Sequence, residues 1–149
     1  MSTSRPTSRP GYPASAAPEF DVSHADVPEY PEYEVIVMED VAIPMRDGVT
    51  LVADIYRPAR NGDFVRAPLP ILLERTPYDK HSTDRIARGA RFFAQRGYIY
   101  VFQDCRGCYG SEGDMGFFWQ EGPDGYDTVE WLAQQPWSNG KIGTTGTSY

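Results

Sequence analysis

Residues 141–149 read KIGTTGTSY. A short strand-like stretch runs into Gly146, Thr147, Ser148 and Tyr149, which fill the first four positions of Gly-x-Ser-x-Gly. Where that motif carries chemistry it joins a strand to a helix through a very sharp turn. The serine then holds a strained backbone conformation, and its neighbours two positions away must be small. Gly146 meets that need. Taken alone, Gly-x-Ser is common, and a serine in an ordinary loop is the simpler reading of four residues. What precedes the motif decides between the two.

Immediately upstream, GPDGYDTVEWLAQQP (122–136) predicts a helix. Asp124 and Asp127 favour its positive end, Tyr126, Val129, Leu132 and Ala133 share a face, and Pro136 stops it. Before it lies a glycine-rich loop, CRGCYGSEGDMG, and before that the buried-strand run YIYVFQD. STDRIARGARFFAQRG (82–97) predicts another helix, capped by Ser82 or Thr83, with Ile86, Ala90, Phe93 and Ala94 on one stripe and Gly97 at the C′ position. PILLERTPY begins with an unbroken apolar run, as a strand covered on both faces does. ARNGDFVRAPLP reads as a loop. Val35 and Val37, then Val41, Ile43 and Met45, alternate as a strand requires, and Asp47-Gly48 turns into VTLVADIYRP, which ends at Pro58. The order is hairpin, strand, helix, strand, helix, strand. Alternating strands and helices imply crossovers and a parallel sheet with helices on both faces, an α/β class. In that setting Ser148 reads as a nucleophile, a role in which a histidine must take its proton and an acid must orient the histidine.

Composition narrows the alternatives. The formal net charge of −7 argues against a nucleic-acid footprint, which needs a basic face. No apolar run approaches a membrane span. Residues 1–32 are rich in Pro, Ser and Ala without a period, and are expected to form a disordered tail ahead of one domain at 33–149. The tail has no apolar h-region, so it is not a secretory signal. A cytoplasmic, reducing location is the default with two cysteines and no disulfide framework. SRPTSRPGYP could serve as an extended partner ligand, although it lacks a regular P-x-x-P.

Cys105 and Cys108 form a C-x-x-C pair. A redox couple or half a metal site is the sharp reading, and two thiols in a loop the bland one, since no second pair exists and His24 and His81 are badly spaced for zinc. GCYGSEG lacks the order of a phosphate loop. The RTPYDK loop has no glycines to offer a backbone oxyanion donor, but the Tyr78 phenol can donate. Spacing leaves open whether Pro77-Tyr78 is that donor or a turn with an aromatic plug.

The series IPMRDGVTLVADIYRP, PILLERTPYDK, GYIYVFQDCRGCYGSEGD and DGYDTVEWLAQQPWSNGKIGTTGTSY resembles the Xaa-Pro dipeptidyl-peptidase-like hydrolases, which include the CocE/NonD (cocaine-esterase-like) enzymes, from about Tyr33 to Tyr149. The resemblance implies the N-terminal part of an α/β-hydrolase fold and a serine hydrolase acting on a small ester, amide or short peptide, with no cofactor. It places the nucleophile on Ser148, an oxyanion-hole phenol on Tyr78 and a second donor on the backbone N–H of Tyr149. Gln103–Gly107 and Gly110–Gly113 match a structural loop of the family, which favours the bland reading of the two cysteines. The triad order of this fold is Ser, acid, His, so neither His24 nor His81 fits the base. His81 is instead expected to be a solvated helix-start residue. The elbow's second glycine, the acid and the histidine are therefore expected beyond residue 149 of a longer protein, without which this stretch should lack triad catalysis. Homo-oligomerisation of the complete protein stays open.

Overall fold

The computed structural model describes residues 32–81 and 84–149. All but the last residue of the expected tail, His24 and the expected caps Ser82 and Thr83 lie outside the described residues, as does the side chain of Ile86. The elements run β1 (Glu34–Pro44), β2 (Thr50–Arg60), β3 (Asp63–Phe64), β4 (Leu69–Thr76), α1 (Asp84–Gln95), β5 (Ile99–Asp104), α2 (Phe118–Ala133) and β6 (Ser138–Thr144). The sheet order is β1-β2-β5-β4-β6, with β3 added beside β2. β1, β2 and β3 pair antiparallel, β2 meets β5 antiparallel, and β5, β4 and β6 run parallel.

The expected hairpin and the expected parallel strands with helices on both faces are present, and antiparallel pairing of β2 with β5 joins them in one mixed sheet. Every residue of β5 is buried, as its central place between β2 and β4 demands. Its side chains alternate between two cores. Ile99 and Val101 join Ile71, Leu73 and Leu132 under α2, whereas Tyr100 and Phe102 join Tyr56, Ala90 and Ala94 under α1. α1 ends as its sequence implies: Gly97 has φ +90°, its N–H bonds to Ala94 O, and the Tyr98 N–H bonds back to Phe93 O.

Four details correct the sequence reading. The odd-numbered apolar residues of β1 do not share one face. A bulge between Met38 and Val41, with Asp40 at φ +51°, inserts a residue opposite Asp54. Val35 and Val37 therefore face the α1 core, and Met38, Val41, Ile43 and Met45 face the α2 core, because one extra residue flips the side-chain parity. Second, β2 does not stop at Pro58. It continues to Arg60 and turns through Asn61 (φ +55°) and Gly62 (φ +80°) into β3, the two-residue hairpin that Asn-Gly favours.

Third, α2 starts at Phe118, one turn before the expected Gly122-Pro123 start. Pro123 lies inside it, and the acceptor it deprives is the carbonyl of Trp119, a residue 90% exposed and open to water. Asp124 consequently falls mid-helix, buried, rather than at the positive end, and Tyr126 is exposed with Arg46 over its ring. Fourth, His81 is not simply solvated: half exposed, it places Nε2 3.0 Å from an oxygen of buried Asp54.

Candidate functional site

The carboxyl ends of β4, β5 and β6 lie side by side, and the loops that leave them hold the candidate residues. This is the edge at which open α/β sheets place their sites. Beyond β6 the Thr145 N–H still bonds to Leu73 O, and the chain then bends through Thr147 and Ser148. Ser148 has φ +72°, in the left-handed region that an L side chain rarely adopts. The Tyr149 N–H closes the bend onto Thr147 O at 3.0 Å, a three-residue turn of the strained, positive-φ kind. A Cβ added at Gly146 would meet nothing within 4 Å, so the crowding expected there is not seen among the described residues.

Tyr149 sits between two rings. Phe118, the first residue of α2, stacks on it at 5.1 Å, and Tyr78 meets it edge-on at 6.4 Å. The structure thus brings Tyr78 against the residue that follows Ser148. The Tyr78 ring is half exposed, and its own N–H bonds to Thr76 Oγ1 at 3.0 Å. An open cleft of about 680 Å³ runs from Ser148 and Tyr149 past Phe118, Arg75 and Glu121 to Val129.

Beneath Tyr149 lies a polar seam. Arg75 donates to Gln103 Oε1 at 2.8 Å and to Glu121 Oε2 at 2.6 Å, and Thr128 reaches the same Gln103 oxygen. Cys105 Sγ is 3.6 Å from Glu121 Oε2. Burial, with Glu121 nearby, pushes the Cys105 thiol up to about 12 and moves Cys108 upward as well. Both cysteines are free and buried. A thiol held protonated is a poor nucleophile at neutral pH, and both side chains pack into the loop after β5. Burial, followed by the charge of Glu121, also raises the Tyr149 phenol.

Sequence reasoning missed Phe118, which lies between the glycine-rich loop and the expected helix and has no assignment from either, and the carboxylate cluster behind Tyr78. Lys80 is buried, and its Nζ lies 2.7 Å from Asp40, 3.7 Å from Asp54 and 3.7 Å from Asp104. Only the bulge in β1 brings Asp40 there, and no local pattern announces it. Asp40, Asp54 and His81 also offer oxygen and nitrogen atoms within 4.8 Å of one another, as a metal site would. The Lys80 ammonium already supplies the cation that these carboxylates need.

No helix among the described residues is long and apolar enough to cross a membrane. The family model of the X-Pro dipeptidyl-peptidase (S15 family) matches residues 47–149. The cocaine esterase of Rhodococcus sp. (strain MB1 Bresler) is 39% identical over 121 residues, 76% of this chain and 19% of that protein. An α-amino acid ester hydrolase of known structure is 36% identical, with a TM-score of 0.62 over 89% of this chain and 25% of that one. A CocE/NonD family hydrolase from Staphylococcus aureus is 28% identical, with a TM-score of 0.62 over 76% of this chain and 23% of its own. The chain spans about a fifth of the length of the curated relatives it matches. With the strand order, the bend at Ser148 and these likenesses in agreement, the chain belongs to the X-Pro dipeptidyl-peptidase (S15) family and has its α/β-hydrolase fold.

Proposed function

We propose that the full-length protein is a serine hydrolase that cleaves an ester or amide of a small molecule or short peptide through an acyl-enzyme. The observation that carries this reading is the backbone of Ser148: a non-glycine residue at φ +72°, directly after a parallel strand, with the Tyr78 ring against its neighbour. Such a bend lifts the hydroxyl clear of the sheet edge, where it can reach a carbonyl carbon. The relatives named for esters support an ester as the first substrate class to test.

Ser148 Oγ attacks the carbonyl, its proton passes to a histidine, and the carbonyl oxygen takes up negative charge. The Tyr78 phenol donates to that oxygen, and the Tyr149 N–H is the second donor once it leaves Thr147 O. Collapse expels the alcohol or amine, and water then releases the acid. The chain order of this fold puts base and acid after the serine, so His81, which precedes Ser148 and binds Asp54, is not assigned the role.

The test uses the full-length protein, an activated aryl ester and a serine-reactive fluorophosphonate. Ser148→Ala should lower turnover by roughly six orders of magnitude and abolish labelling, and Tyr78→Phe should lower kcat about a hundredfold. Turnover at the wild-type rate in Ser148→Ala would sink the proposal.

A further inference from the structure

We propose that Lys80 is a positioning residue: its buried ammonium, gripped by carboxylates from three strands, fixes the loop that presents Tyr78 to the reacting carbonyl. The inference rests on the oxyanion role given to Tyr78 above.

The loop leaves β4 at Thr76 and offers little to hold itself in place. Tyr78 is half exposed, and Asp79 has φ +77°, a conformation that costs about 1 kcal/mol even for a tolerant residue. Its short-range contacts run from Tyr78 N–H to Thr76 Oγ1 and from His81 N–H to Asp79 Oδ1 at 2.9 Å. Farther along the chain the Tyr78 ring meets Tyr149 edge-on and the half-exposed His81 ring reaches Asp54, but the buried long-range restraint enters at Lys80. The Lys80 N–H bonds to Asp104 Oδ1 at 2.9 Å, and its ammonium reaches Asp40 on β1, Asp54 on β2 and Asp104 at the end of β5. One side chain two residues from Tyr78 therefore ties the loop to three strands.

The charges require it. Asp54 and Asp104 are buried, at 1% and 0% exposure, and a buried carboxylate is stable only when paired. Burial raises Asp104, an effect that bonds from the Lys80 N–H and its charge oppose. Burial by itself would lower the Lys80 pKa, but Asp40, Asp54 and Asp104 together hold it above the ordinary lysine value. The bulge in β1 has its explanation here too. It turns the Asp40 N–H onto Asp54 Oδ1 at 3.0 Å and leaves the Asp40 carboxylate facing Lys80, the re-aiming of a side chain that bulges perform.

The experiment is a double-mutant cycle in the full-length protein, with kcat and KM read separately. Lys80→Met should lower kcat about ten- to a hundredfold with KM little changed, as a misplaced catalytic group does. In the Tyr78→Phe background the same change should cost almost nothing further, because the phenol it positions is gone. Asp40→Asn removes the charge of a partner whose side chain is 66% exposed while keeping an acceptor oxygen, so the protein should still fold. It should lower kcat severalfold, again only while Tyr78 is present. If Lys80→Met does not fold, Asp40→Asn decides alone. Wild-type kcat in Tyr78→Phe would overturn the oxyanion reading itself. A slow Tyr78→Phe combined with wild-type kcat in the Lys80 and Asp40 variants, or with losses that multiply in full, would overturn the positioning role alone.

Discussion

Arg106→Met is expected to be among the most damaging single changes outside the sheet. Arg106 leaves the end of β5 and lays its guanidinium along Asp124 of α2, with Nε 2.9 Å from Oδ2 and Nη2 2.6 Å from Oδ1. A third nitrogen reaches Asp47, in the β1–β2 turn, at 2.8 Å. The side chains of Arg106 and Asp124 are 7% and 2% exposed. Methionine fills the aliphatic volume but strands the Asp124 carboxylate away from water, and breaking a buried pair this way costs about 3–5 kcal/mol. That is a large share of the roughly 5–15 kcal/mol by which a domain is stable. With a urea m-value of about 2 kcal/mol/M for a unit of this size, the midpoint of the step in which this part of the protein unfolds should fall by about 2 M at unchanged m. Tryptophan fluorescence of the full-length protein reads the transition. Arg106→Met combined with Asp124→Leu should recover most of the loss, since a well-packed apolar pair can replace a buried ion pair. A midpoint within about 0.3 M of wild type in the single variant, or a double variant as unstable as the single, would refute the reasoning.

Glycine and cysteine positions give further expected outcomes. Gly107→Ala should destabilise by about 2–4 kcal/mol in thermal unfolding, since φ is +69° and the new Cβ would lie 2.4 Å from Met115 N. Gly140→Ala, at φ +77° in open space, should cost only about 1 kcal/mol. Cys105 and Cys108 should resist an aromatic disulfide reagent in the native protein and react fully in urea. Because the Cys105 thiol is pushed up to about 12, above the ordinary value near 8.5, the unfolded chain loses that proton first. The contribution is intact below about pH 8.5 and shrinks as pH rises towards 12, a slope that Cys105→Ala should reduce, with the remainder left to Cys108 and Tyr149.

Much of the fold could be read from periodicity because its central strands are covered on both faces. Ile71–Leu73 and Ile99–Phe102 have no polar side to confuse with a loop, and α1 ends on a glycine whose chemistry is local. The readings that went astray depend on partners distant in sequence. The β1 bulge is stabilised by Asp54 and Lys80, and the early start of α2 is accompanied by the packing of Phe118 on Tyr149. Pro123 and Asp124 carry the local marks of a helix start, yet Arg106 holds Asp124 in the helix middle. At the site, Ser148 and Tyr78 stood out through motif and resemblance, and the structure brings the two loops together. Lys80 was invisible because its three carboxylates come from β1, β2 and β5.

Backbone strain is distributed unevenly over this sheet, and the pattern bears on function. Among the described residues, the non-glycine positions with positive φ are Asp40, Asn61, Asp79, Tyr109, Phe117 and Ser148. Asn61 alone belongs to the opposite edge, in a tight hairpin that asparagine suits. The other five gather around the carboxyl ends of the parallel strands. At about 1 kcal/mol each they withhold an amount comparable with the lower range of a domain's whole stability. Glycine would relieve that cost at every one of them. Tyr109 and Phe117 are both well exposed, and no hydrogen bond or ion pair of their side chains among the described residues offsets the cost. At Asp40 and Asp79 glycine would delete a bond the site uses: the carboxylate on Lys80 in one case, the acceptor for the His81 N–H in the other. At Ser148 it would delete the hydroxyl itself. Strain kept at a place where a cheaper residue is available, and where the side chain is the group needed, is what a pre-organised reacting centre requires. Tyr109 and Phe117 carry the same strain without such a group, so at Ser148 it supports the proposed role only together with the hydroxyl and the Tyr78 ring beside the bend.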